Sequence, residues 1–179
     1  FMNPLFLKML CEIAVEKEDK TVVVDDIQTL MNEFFDIKNK IISKHYLESL
    51  SVKDKVVSLV LDDVTQYMSD NDQYSISWFE LRTIVSDTLD KFGLKEKASG
   101  FIKALISENL LREADEKGTE ITFAYQKFYE YLYAKKYVNM EMNVIIRAVE
   151  DKKVTLGTLE MIQILYMQEM REEFLSKIN

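Results

Sequence analysis

Among its 179 residues the chain has one cysteine, one proline, one histidine, one tryptophan and four glycines. Each scarcity removes a class of explanation. A single cysteine, Cys11, precludes an intrachain disulfide, and its place in an apolar helical pattern predicts a small buried hydrophobe rather than a nucleophile. His45 has no cysteine or histidine at metal-ligand spacing, and Lys44 beside it fits an exposed helix position. With few proline and glycine breakers, long helices are favoured over a sheet-rich fold. Apolar runs are short as well. Lys8, Glu12 and Glu16 interrupt the N-terminal one well before the roughly 20 residues of a membrane span. Phe1 to Cys11 lacks the basic start and small-residue cleavage pattern of a secretory signal. A cytoplasmic location follows as the expectation, and an opening on Phe1 reads as the start of an internal piece of a longer polypeptide.

What is present is a core-forming composition, 47% hydrophobic, with a net charge of -8. The first allows one domain or two small ones. The second argues against nonspecific nucleic-acid binding, which needs concentrated positive charge. The nine methionines fit adaptable helical packing.

Asn3-Pro4 can start a helix, with asparagine as cap and proline in the first turn. Leu7, Leu10, Cys11 and Ala14 are expected on its buried side. A second helix from Asp25 or Asp26 carries Ile27, Leu30, Met31, Phe34, Ile37, Ile41 and Ile42. Ser51-Val52-Lys53-Asp54 reads as a capping box for a third, with Val56, Val57, Leu59, Val60, Val64, Tyr67 and Met68 facing the core. A second box, Ser77-Trp78-Phe79-Glu80, opens a helix to about Leu89, Lys91 to Leu94 forms a turn, and another helix spans about Lys95 to Asn109.

Leu110-Leu111, the turn Asp115 to Gly118 and the alternation Glu120-Ile121-Thr122-Phe123 predict a hairpin. A helix over Gln126 to Val138 follows it. Helix, helix, helix, hairpin is a winged-helix order. Met140 to Val149 and Leu159 to Leu175 predict two further helices separated by Asp151 to Gly157, the last with Leu159, Ile162, Leu165, Tyr166, Met170 and Phe174 in its stripe. The fold class expected is mainly α: a helical lid segment (1–48), a winged-helix domain with a small β-hairpin (49–138) and the start of a further helical domain (139–179).

Catalytic machinery is not visible. No Gly-x-x-x-x-Gly-Lys-Ser/Thr phosphate loop occurs, so the means of holding a triphosphate and magnesium are missing from this stretch. Asp25-Asp26 and Asp62-Asp63 read as a helix start and a solvated helix face, not as metal ligands. Around the aromatic helix, Phe128, Tyr131 and Leu132 are expected in the core, whereas Tyr129, Tyr133 and Tyr137 are candidates for interdomain docking. DNA recognition is a competing function for a winged helix. Lys95, Lys97 and Lys103 offer charge, offset by Glu96, Glu108 and the acidic wing tip Asp115-Glu116.

The run Phe123-Ala124-Tyr125-Gln126-Lys127-Phe128-Tyr129-Glu130-Tyr131-Leu132 resembles the segment that closes the winged-helix domain of signal-transducing NTPases with numerous domains, especially NACHT-type members and related prokaryotic defence proteins. Asn3-Pro4-Leu5-Phe6-Leu7 is similar to the start of their helical lid, with Met2 where glycine is common. The resemblance implies that Pro4 lines the adenine side of a nucleotide pocket. It also implies that Tyr125, where the family often has histidine, makes a phosphate-side or interdomain contact. By the same resemblance, the intact parent would bind ATP or ADP with magnesium and pack this region between an upstream nucleotide-binding domain and a downstream helical domain. On activation it would assemble as a homo-oligomer. The alternative is a stand-alone winged-helix module for protein interaction or DNA-binding transcriptional control.

Overall fold

The computed structural model describes residues 3–18, 26–46, 55–138, 140–166 and 175–178. They form a mainly α structure with one small antiparallel sheet. Helix α1 (Pro4–Lys17) begins as its first residues require: the Asn3 side chain accepts from the Leu5 N–H at 2.9 Å, and Pro4 occupies the first turn. Its buried side is Leu5, Met9 and Ile13, not the expected one. Leu7 is 51% exposed and Cys11 is exposed, correcting both expectations. The cause is that α1 is apolar around most of its circumference, so periodicity alone does not choose a face. The partner, α2 (Ile27–Tyr46), does.

Helix α2 starts where Asp26 accepts from the Thr29 N–H at 2.7 Å. Asp25 lies outside the described residues. The predicted stripe is buried at Leu30, Met31, Phe34, Ile37 and Ile42. Lys38, in step with Phe34 and Ile42, is buried too. Its Nζ lies 2.8 Å from Glu12 and 2.9 Å from Glu108, joining α1, α2 and the residue after α5 (Ala98–Ser107). Burial pulls the Lys38 pKa down, but the two carboxylates outweigh it and the net shift is upward.

The box at Ser51 to Asp54 lies outside the described residues, as does most of the boundary near residue 48. Helix α3 (Val56–Asp70) follows Lys55, which has a left-handed φ of 47°. Of its predicted core face, Leu59 turns to solvent. Strand β1 (Ile76–Ser77) leads directly into α4 (Trp78–Asp90), where the predicted box forms: the Ser77 hydroxyl accepts from the Glu80 N–H, and Glu80 reaches back to the Ser77 N–H. A turn closed by Gly93 at φ 70° and a 3-10 segment (Lys95–Lys97) precede α5. The predicted helix from Lys95 therefore divides into a 3-10 turn and α5, and Asn109, at φ 57°, follows its end.

Strands β2 (Leu111–Glu113) and β3 (Glu120–Phe123) form the hairpin, turning at Gly118 with φ 64°. The sheet order is β1-β3-β2, all antiparallel, with Ile76 opposite Ile121 and Arg112 opposite Thr122. Helix, strand, two helices and a hairpin whose second strand takes the centre make a winged-helix arrangement. Helix α6 (Gln126–Lys135) then crosses back over α3, and α7 (Met142–Glu150) and α8 (Leu156–Leu165) follow. Gly157 is not a separator. It lies inside α8, which Thr155 caps, and a Cβ there would collide with the buried Glu130 carboxylate on α6. Met170 and Phe174 lie outside the described residues.

Candidate functional site

Local rules place the two segments singled out in the sequence, and tertiary packing brings them together. Pro4 is exposed in the first turn of α1. One turn on, Lys8 donates from Nζ to the Tyr125 hydroxyl at 3.0 Å, across 117 residues of sequence. The same ammonium lies 5.3 Å from the Tyr125 ring centroid and 3.8 Å from Glu12. Tyr125 sits at the N-cap of α6 with an extended backbone and no side-chain cap bond, its half-buried ring edge-on to Phe128 at 5.3 Å. Lys8 therefore supplies beside Tyr125 the positive charge that a tyrosine cannot carry. It was missed in the sequence because its only signal is spacing: it stands four residues beyond Pro4, on the same helix face.

Tyr129, Tyr133 and Tyr137 continue from Tyr125 at four-residue intervals. They are buried among this chain's own elements, with exposures of 8%, 8% and 7%. Tyr129 meets Phe123 and Tyr74, each with ring centroids 5.9 Å apart, and stacks on Tyr133 at 5.7 Å. Tyr137 is edge-on to Tyr133 at 5.4 Å and donates its hydroxyl proton to the Tyr133 oxygen at 2.9 Å. The Tyr166 hydroxyl, just past α8, donates to the Tyr137 carbonyl at 3.2 Å. Burial first, then neighbouring phenols, pushes the Tyr129 and Tyr137 pKa values upward. Beside this ladder the Lys136 ammonium sits 5.1 Å from the Tyr133 ring centroid, buried without a hydrogen-bond partner among the described residues, and burial lowers its pKa.

On the other side of α6, Phe128, Tyr131 and Leu132 are core residues as expected. Phe128 packs on Phe34 at 5.5 Å and Phe35 at 5.3 Å, and Tyr131 donates to the Asn32 side chain at 2.8 Å. Burial and then nearby aspartates push the Tyr131 phenol up to about 12. Glu130 accepts from Gln126 at 2.8 Å, and its other oxygen is 2.8 Å from Lys127, an ion-pair distance without hydrogen-bond alignment.

The remaining candidates have local partners. Asp63 accepts from the Thr88 hydroxyl at 2.6 Å, and Asp62 lies 3.9 Å from Lys135. The His45 side chain lies outside the described residues. Lys95 pairs with Asp90 at 3.4 Å, and Asp115 braces the wing by accepting from Thr119 and the Glu120 N–H. Among the described residues, no group of three acidic, histidine or cysteine side chains could hold a metal, and no helix is long and apolar enough to cross a membrane. These features define a winged-helix unit with further helices on either side of it in sequence, its α6 start joined to α1 through Lys8. Compared with protein-family models and with curated proteins, the chain matches none.

Proposed function

We propose that this chain is a non-catalytic regulatory region of a multidomain nucleotide-dependent signalling or defence ATPase, similar to the NACHT-type NTPases. One observation carries the reading: Lys8, a turn after Pro4, bonds to Tyr125, so the two segments that resemble the family's nucleotide-facing motifs share one surface. In the intact parent an upstream domain would hold ATP or ADP with magnesium, and Pro4 would meet the adenine side. The Lys8–Tyr125 pair would face the phosphate side or the domain contact next to it. Exchange of nucleotide would then change how α1 and the start of α6 pack against that domain, exposing surfaces for homo-oligomerisation. The region transmits the change; phosphoryl transfer belongs to the missing phosphate loop.

The test is made on the intact polypeptide. Its coding sequence should carry a phosphate loop upstream of Phe1. Pro4→Ala and Lys8→Met should each weaken ATP or ADP binding by at least about threefold without loss of folding. Unchanged affinity in both variants would sink the reading. Salt-sensitive duplex-DNA binding that falls on Lys95→Gln or Lys97→Gln would favour the transcriptional alternative instead.

A further inference from the structure

The outer face of the sheet carries a cavity that the nucleotide reading does not use. Its volume is about 330 Å³, with walls from Tyr74, Phe123 and Tyr129, and polar groups from Arg112, Thr122 and Gln126. Strand alternation produces the Arg112 and Thr122 part of this lining, whereas Phe123 lies in phase with the inward Ile121. Leu111 and Ile121 turn into the core, so the paired Arg112 and Thr122 turn outward together. The Thr122 hydroxyl donates to the Tyr74 carbonyl at 2.7 Å, fixing the backbone that presents the Tyr74 ring. Tyr74 is 57% exposed, although its ring meets Tyr129 in an edge-to-face contact.

Charge sets the second requirement. Among the described residues the exposed Arg112 guanidinium has no ion-pair or hydrogen-bond partner, in a chain whose net charge is -8. A planar five-donor fork at the edge of an aromatic cavity matches a carboxylate bidentately. One negative charge on the ligand matches the single cation among the lining residues. The size is at the lower end of the roughly 300–1,000 Å³ of small-molecule sites, which fits one or two rings with a short acidic arm.

We propose that this cavity binds a small aromatic monocarboxylate, its ring against the exposed part of Tyr74 and its carboxylate on Arg112, with the Gln126 amide as a further donor. The site stands whether or not the nucleotide reading does. The ¹⁵N-labelled chain is titrated with benzoate, phenylacetate and indole-3-acetate, and with indole-3-acetamide as the neutral counterpart. At least one acid should give saturable shifts at the Arg112 Nε–H and the Gln126 side-chain amide. Indole-3-acetate should bind at least about tenfold more tightly than its amide. Arg112→Gln should erase that preference while leaving amide binding as it was, which also reports an intact cavity. Tyr74→Ala should weaken acid and amide alike. Absence of saturable shifts with all three acids, equal affinity for acid and amide, or a preference that survives Arg112→Gln overturns the proposal.

Discussion

The two faces of α6 are made from similar residues and do different work. Toward α2 the helix presents Phe128 and Tyr131 to Phe34 and Phe35, an interface of rings with one hydroxyl satisfied by Asn32. Toward β3 and the end of α8 it presents Tyr129 and Tyr133, with Tyr137 just past its last turn, where buried hydroxyls must find partners and an ammonium with no hydrogen-bond partner among the described residues is enclosed beside them. The first face is anchored by shape and apolar burial. The second trades some of that stability for a hydrogen-bonded order, since a buried polar group is tolerated only in the one arrangement that satisfies it.

The largest effect should come from the first face. Phe128→Ala removes a fully buried ring from between α2 and α6 and should cost about 3–5 kcal/mol in chemical denaturation. A loss below about 1 kcal/mol would mean that the α2 interface is not the anchor. Gly157→Ala tests the contact of α8 with α6 and should destabilise by about 1–3 kcal/mol, because the new Cβ meets the enclosed Glu130 carboxylate. In a Glu130→Ala background the same change should become neutral or favourable, as alanine is the better helix former. Persistence of the cost there would place the clash elsewhere.

On the tyrosine face the expected effects are smaller and of both signs. Tyr133→Phe removes the acceptor of the Tyr137 hydroxyl and should cost about 1 kcal/mol, against no loss if the ladder were held by ring packing alone. Lys136→Met should raise stability by about 1 kcal/mol by removing a buried, unpartnered ammonium. The pH profile should separate the two contributions. The buried phenols have raised pKa values, so their contribution is complete below the unfolded value of about 10 and is lost as pH rises through the folded values. Lys136 acts in the opposite sense. Its folded pKa is lowered, so stability recovers as pH rises from that value toward about 10.5, and this rise should vanish in Lys136→Met. A profile unchanged by that substitution would show that the amine is solvated.

Much of this architecture is legible in the sequence because its cues are local. The Ser77 box, the turn at Gly118, the stripe on α2 and the hairpin alternation each depend on residues within a turn or two of one another. The α1 face was not legible, since a helix apolar on most sides has no preferred orientation until α2 packs against it. Gly157 reads locally as a helix breaker, yet its meaning is the absence of a side chain opposite Glu130. For the candidate site, Pro4 and Tyr125 could be picked out by resemblance. Lys8 could not, and Arg112 reads as an ordinary strand residue until Tyr74 and Tyr129 are placed beside it.

By itself the sequence determined the helical composition, the helix–hairpin order and which side of α6 enters the core through Phe128, because propensity, capping and periodicity are short-range properties. Only the tertiary structure decided that Lys8 would reach Tyr125, that Tyr129, Tyr133 and Tyr137 would be enclosed rather than exposed, and that Arg112 would face an aromatic cavity. Those outcomes depend on which surfaces distant segments present to one another, a property of the assembled fold that no local window contains.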